Sequence, residues 1–269
     1  MPKRAQTSGG EIEIKAALTV AADGRHSTLR TKSGLEVVDF GAPMDVLWLR
    51  LSKRAGEANE SLGRALPGRL IILIDRGDYW QCAFVIAKDA FVAMRERGLE
   101  AFRADLANVL PNLRDRVGEI KSWDDVKLLT VTVDRLKLWY RDGFLCIGDA
   151  AHAMSPIGGV GINLAVQDAV AAANLLAEPL GKGCLRTDDL RAVQRRRERP
   201  ARITQGVQIF VQRRIIAQVL KAQRALPVPF PLRLLSVLPF LRRFPARFVG
   251  LGVQPEHVRT RDLGSTLKS

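Results

Sequence analysis

The sequence predicts an α/β fold, and three observations carry that reading. Apolar strand-like runs end in acidic-glycine turns at two distant places, residues 17–20 before Asp23-Gly24 and residues 144–147 before Gly148-Asp149. Between them, closely spaced strand-like segments at 46–51 (VLWLRL), 70–74 (LIILI) and 80–87 (WQCAFVIA) indicate an antiparallel sheet. Beyond them follow a glycine-rich loop, an alanine-rich helical stretch and a long basic one. A chain of 269 residues, 47% of them hydrophobic, can bury a core as one large domain or two interleaved ones.

Residues 11–15 (EIEIK) alternate with period two and predict a half-exposed strand, whereas 17–20 (ALTV), apolar on both faces, predict a buried one. Residues 75–79 (DRGDY) read as a hairpin connection. Asp89 is placed to cap a short helix that Gly98 ends, and 100–110 predict a second helix stopped by Pro111. Residues 127–138 (KLLTVTVDRLKL) return to strand character, and 144–147 (FLCI) form a compact buried strand between Gly143 and Gly148. The composition of 162–177 predicts a buried helix. Thr187 then caps a long basic helix, kinked or broken at Pro200, and a proline-rich tail follows. No internal repeat is present.

With 42 Lys and Arg against 28 Asp and Glu, the formal charge is +14, which draws anionic ligands or surfaces at long range and says nothing about fold. Residues 195–197 (RRR), Arg199, Arg213 and Arg214 read as the solvated face of an amphipathic helix. With little aromatic interleaving for base stacking, a nucleic-acid partner is not expected. Cys82, Cys146 and Cys184 are odd in number and form no CxxC or Cys/His cluster, so neither disulfides nor a metal site is expected, and a reducing cytoplasm is. The first residues, MPKRAQTSGG, contain no apolar signal core. The apolar region 225–253 is cut by Arg233, Arg242, Arg243, Arg247 and five prolines, short of the ~18 apolar residues of a membrane span. It reads as a helical tail packed over the main fold, with peripheral membrane contact as the alternative. Trp48, Trp80, Trp123 and Trp139 are read as core.

The most informative segment is 143–177, GFLCIGDAAHAMSPIGGVGINLAVQDAVAAANLLA: strand, Gly-Asp turn, glycine-rich loop, helix. Ligands of open α/β sheets collect beyond the carboxyl ends of strands, where Asp149 lies and can accept hydrogen bonds from sugar-like hydroxyls. Gly158, Gly159 and Gly161 lack Cβ atoms and let a flat or anionic ligand approach the backbone. The helix beginning near Gly161-Ile162-Asn163 offers unpaired N–H groups and a positive dipole end.

This segment closely resembles the GD motif of FAD-dependent aromatic hydroxylase and ubiquinone-hydroxylase-like monooxygenases, through 148–152 (GDAAH), Pro156 and 159–163 (GVGIN). Residues 23–27 (DGRHS) with Arg30 resemble the same family's DG motif, and the two occur in the family's order. The resemblance implies that Gly148 and Asp149 meet the ribityl or phosphate part of FAD. It likewise implies that Pro156 and Gly158, Gly159 and Gly161 lie beside the isoalloxazine, and that the backbone N–H groups of Ile162 and Asn163 face the flavin pyrimidine oxygen. Asp23, Gly24 and Arg25 would border the pyrophosphate and the route of NAD(P)H, the transient reductant. Molecular oxygen and a small aromatic or quinone-like substrate complete the implied reaction, whose hard chemistry belongs to the cofactor. The family's motif does not use its histidines for proton transfer, so His26 and His152 are read as structural, and no catalytic side chain is assigned.

The implied architecture is an incomplete Rossmann-like FAD-binding domain with an inserted antiparallel-sheet substrate domain and a helical C-terminal tail. Residues 1–31 hold the DG part, 32–138 the substrate sheet, 139–180 the GD part and 181–269 the helical region. The family's opening GxGxxG turn has no counterpart: the nearest cluster has Leu164 where the third glycine belongs. The expectation is therefore a chain covering the later part of the family, with an open edge beside residues 17–20 and FAD held weakly or not at all. The alternative function is a non-catalytic fragment or basic binding module that no longer holds FAD.

Overall fold

A run of apolar residues between two glycines gives a short strand that stops where the chain must turn. In a computed structural model, which describes residues 3–57, 62–224, 227 and 237–260, that strand (Phe144–Cys146) is wholly buried. Chain contacts divide the protein into two units: residues 1–40, 132–206 and 239–269, and residues 41–131 and 207–238. Arg233, Pro229 and Pro231 of the tail lie outside the described residues.

The first unit opens with an antiparallel hairpin of β1 (Lys3–Thr7) and β2 (Gly10–Ile14). Next come β3 (Thr19–Ala21), α1 (Thr28–Ser33) and β4 (Val37–Asp39). Residues 11–15 do pair as a strand, with Ile12 and Ile14 exposed. The buried strand expected at 17–20 is a correction: Ala21 is buried, but Val20 is 41% exposed. The physical reason is that β3 is an edge, paired in parallel to the Phe144–Cys146 strand and to nothing else among the described residues.

The second unit carries β5 (Met44–Ser52), β6 (Leu62–Leu66), β7 (Arg69–Asp75) and β8 (Tyr79–Ala87), then α2 (Phe91–Glu96), α3 (Leu99–Val109) and β9 (Lys127–Leu129). Its sheet runs β6-β7-β8-β5-β9, with every pair antiparallel. Alternation along β5 sends Leu47, Leu49 and Leu51 to the face that α3 covers, where they join Leu73, Phe84 and Phe102 in one core. Phe84 and Phe102 meet edge to face at 5.9 Å. Asp89 does not cap α2: its backbone is left-handed (φ 62°) and its N–H donates to Asp45, while Ala90 holds the cap position without a side-chain bond. Gly98 does separate the helices, with φ 88° at the start of α3.

The single strand expected at 127–138 is two strands. After β9 the chain enters the first unit as β10 (Asp134–Leu136), which pairs with β4. β11 (Tyr140–Arg141) and β12 (Phe144–Cys146) follow, then α4 (Gly161–Gly181) and α5 (Thr187–Val211). α4 is amphipathic rather than buried all round: Leu164, Asp168, Ala171, Ala172 and Leu176 face inward, while Ile162 and Val166 are exposed. Among the described residues, one helical run, Ile157–Gly181, is long and apolar enough to cross a membrane by length and composition. It contains the Asp168 carboxylate, bonded within the unit as described below. α5 continues unbroken through Pro200, and Thr187 is its first residue rather than its cap, its hydroxyl donating to Asp142. Two further α-helices among the described residues are α6 (Ala217–Lys221) and α7 (Arg243–Leu251).

Candidate functional site

Two glycine turns build the site, one after β3 and one after β12. Because these strands are parallel neighbours, both turns leave the same edge of the sheet. The Ile147 N–H donates to the Ala21 carbonyl, which fixes their register to the end. Gly24 has φ 84° and starts a turn closed by the Ser27 N–H on its carbonyl. Ser27 caps α1, its hydroxyl accepting the Arg30 N–H at 2.9 Å. Asp23 holds that cap by accepting from the Ser27 hydroxyl at 2.5 Å and the Leu29 N–H at 3.3 Å. Partial burial works against its charge, but these bonds hold its carboxyl below the usual carboxylate range.

The second turn is sharper. Gly148 has φ 59°, and a Cβ there would sit 3.0 Å from that of Ala165 on α4, so only glycine fits without strain. Asp149 projects from this turn to meet Arg25, with Nη2 3.2 Å from Oδ2. The ion pair joins the two sequence motifs across 124 residues. Arg25 Nη1 is buried and has no acceptor among the described residues. The adjoining loop holds Gly158 at φ 76° and Gly159 at φ 63°, with open space at the missing Cβ of Gly159. Val160 begins α4 without a side-chain cap, so the first-turn N–H groups there receive no side-chain partner from it. Pro156 precedes the glycine pair, and its carbonyl accepts from Gly159. Ile162 is 71% exposed, while the Asn163 side-chain amide donates to the Val249 carbonyl. Asp23, Gly24, Arg25, Gly148 and Asp149 are thus drawn together at one sheet edge, and Pro156 to Asn163 form the loop and helix start that follow.

A buried ionic cluster supports this loop and was not singled out in the sequence. Asp168 on α4 accepts the Gly148 N–H at 3.0 Å, lies 2.6 Å from His152 Nε2 and accepts Arg197 Nε at 2.9 Å. Burial opposes its ionisation, yet His152 and Arg197 keep the carboxyl below its usual range. The His152 ring is buried and lies tilted by 43° against Trp139, the ring centroids 4.8 Å apart. Arg197 corrects the reading of a solvated arginine face: it is fully buried and also binds Gln167 and the Gln254 carbonyl. Arg30 ties the DG turn down by bonding Asp134 at 2.9 Å and the Arg25 carbonyl at 2.7 Å. The tail lies along α4, where Gln167 and Asn174 donate to the Leu251 and His257 carbonyls. An isolated Asp within an alanine-rich helix was the one available signal for this cluster; within a run of arginines, Arg197 offered none.

Residues 2–206 match a family described as FAD binding domain, and the chain belongs to that family. It is 34% identical over 212 residues to 6-methylpretetramide 4-monooxygenase of Streptomyces rimosus, covering 77% of this chain and 50% of that protein. It is also 25% identical over 166 residues to ubiquinone hydroxylase UbiL of Rhodospirillum rubrum, covering 61% and 38%. The chain spans about half the length of the curated relatives it matches. Among solved structures, PqsL of Pseudomonas aeruginosa in complex with 2-aminobenzoylacetate is similar with a TM-score of 0.65 at 21% identity, over 81% of this chain and 61% of that one. The flavin-dependent halogenase CmlS is similar with a TM-score of 0.64 at 17% identity, over 97% and 49%. These last two likenesses bear on the fold.

Proposed function

We propose that this chain carries the flavin-facing and substrate-binding parts of an FAD-dependent, NAD(P)H-using monooxygenase that hydroxylates a small aromatic or quinone-like substrate. The observation that carries the proposal is the meeting of Arg25 and Asp149, with Arg25 Nη1 buried and lacking an acceptor among the described residues. A buried guanidinium N–H without a partner is costly, and an acceptor-rich ligand such as a pyrophosphate would satisfy it. The residues present fit the ribityl and flavin end of FAD. Asp149 would accept ribityl hydroxyls, while Gly158 and Gly159 would admit the ring edge. The first-turn N–H groups of Ile162 and Asn163 would stabilise negative charge at its pyrimidine end. Asp23 would act through the turn it braces at Ser27, and the 41–131 sheet would bind the substrate. Bound there, FAD would supply the redox chemistry, with NAD(P)H as reductant and oxygen as co-substrate. The chain orients the ring and shields it from water.

The test is a panel of phenolic and quinone substrates incubated with the chain, FAD, NADH or NADPH, and oxygen, with products identified by mass. A hydroxylated product that requires flavin and is lost in Asp149→Ala supports the proposal. Flavin bound with no ring oxidised across the panel contradicts it.

A further inference from the structure

A cavity of about 250 Å³ opens between the sheet and the helical cover of the 41–131 segment. Its walls are Ile71, Leu73, Trp80, Leu110 and Leu113. These side chains belong to the helix-covered core, and none comes from the DG or GD motif. Cavities of roughly 150 Å³ lined by aliphatic and aromatic side chains accept benzene, so the space suits one substituted ring.

The charges around it select the ring's substituent. Glu57 lines the cavity but is already satisfied: Arg116 binds both its carboxylate oxygens, and the Trp80 indole N–H donates to it at 3.0 Å. Arg64, exposed at the rim, uses only Nη1, which donates to the Val109 carbonyl at 3.0 Å. Arg64 lines the cavity, and this bond leaves its Nε and Nη2 without an acceptor among the described residues. Asn112 supplies a second polar group at the rim. The uncompensated charge is therefore positive, on a planar fork that matches a carboxylate.

We propose that this cavity is a binding site for a small aromatic monocarboxylate, the ring held by Leu73, Trp80 and Leu113 and the carboxylate by Arg64. The site lies apart from the flavin motifs in sequence and does not depend on the proposed reaction.

The test uses the full chain and fluorine NMR with two probes, 4-fluorobenzoate and its neutral counterpart 4-fluorobenzamide. The expected result is saturable binding of the benzoate, at least tenfold weaker in Arg64→Gln, with the amide bound weakly by both proteins. Leu73→Trp, which fills the cavity, abolishes benzoate binding while near-ultraviolet circular dichroism reports a folded core. Arg64 is exposed, so its variant stands as a test even if Leu73→Trp does not fold. No saturable binding of the benzoate, equal affinity in Arg64→Gln, or unchanged binding by a folded Leu73→Trp would each overturn the proposal.

Discussion

Asp168 shows how one buried charge fixes the geometry of a turn. Three donors converge on it, from Gly148, His152 and Arg197, and its exposure is nil. Removing one partner of such a pair leaves the other charge buried without compensation, so Arg197→Met is expected to destabilise the protein by about 3–5 kcal/mol in urea unfolding. A change below 1 kcal/mol would show that the cluster is not the anchor described. In the other unit Glu57 titrates near 2, because the Arg116 hydrogen bond outweighs its partial burial. A folded-state pKa below the unfolded one gives stability that is complete above about pH 4.3 and is lost as pH falls toward the folded value. Glu57→Gln should therefore lower stability at pH 7 by about 1–3 kcal/mol. It should also flatten the acid limb between about pH 4.5 and 2, as thermal unfolding across that range would show. Legibility at this scale was uneven. Asp149 and Arg25 stood within motifs and could be named, whereas Asp168, Arg197 and Glu57 matter through partners 16 to 59 residues away, a distance that local pattern does not encode.

The elements were legible where periodicity and glycine agreed. β5, β7 and β8 alternate or run apolar between turn residues, and each appears within two residues of its expected ends. The segment 127–138 failed because its apolar alternation continues across a change of sheet, β9 pairing with β5 and β10 with β4. Residues 17–20 failed for a different reason: apolar composition promises burial, but β3 has a strand on one side only among the described residues. α4 looked buried from its alanines, yet its outer side meets the tail through Asn163, Gln167 and Asn174, polar residues whose partners are distant backbone carbonyls. The junction of β12 and α4 gives the sharpest test at this scale. Gly148→Ala adds a methyl at φ 59° against Ala165, and an L residue held there costs about 1–3 kcal/mol. The variant should lose that much stability and move Asp149, whereas full stability with unaltered ligand binding would argue against a tight turn.

At the scale of the molecule, the motifs and the strand pattern together made the family legible, because the DG and GD turns follow the ends of parallel neighbouring strands. Each unit has its own core, one around Trp139, Leu145 and Leu164 and the other around Leu47, Phe84 and Phe102. The central claim is that the joined turns form a flavin site, so the most direct measurement is the affinity of the full chain for FAD, titrated by flavin fluorescence beside Asp149→Ala and Arg25→Gln. The account predicts saturable but weak binding by the chain alone, reduced at least tenfold in each variant. Affinity unchanged in both variants, or no saturable binding by the unaltered chain, would contradict it.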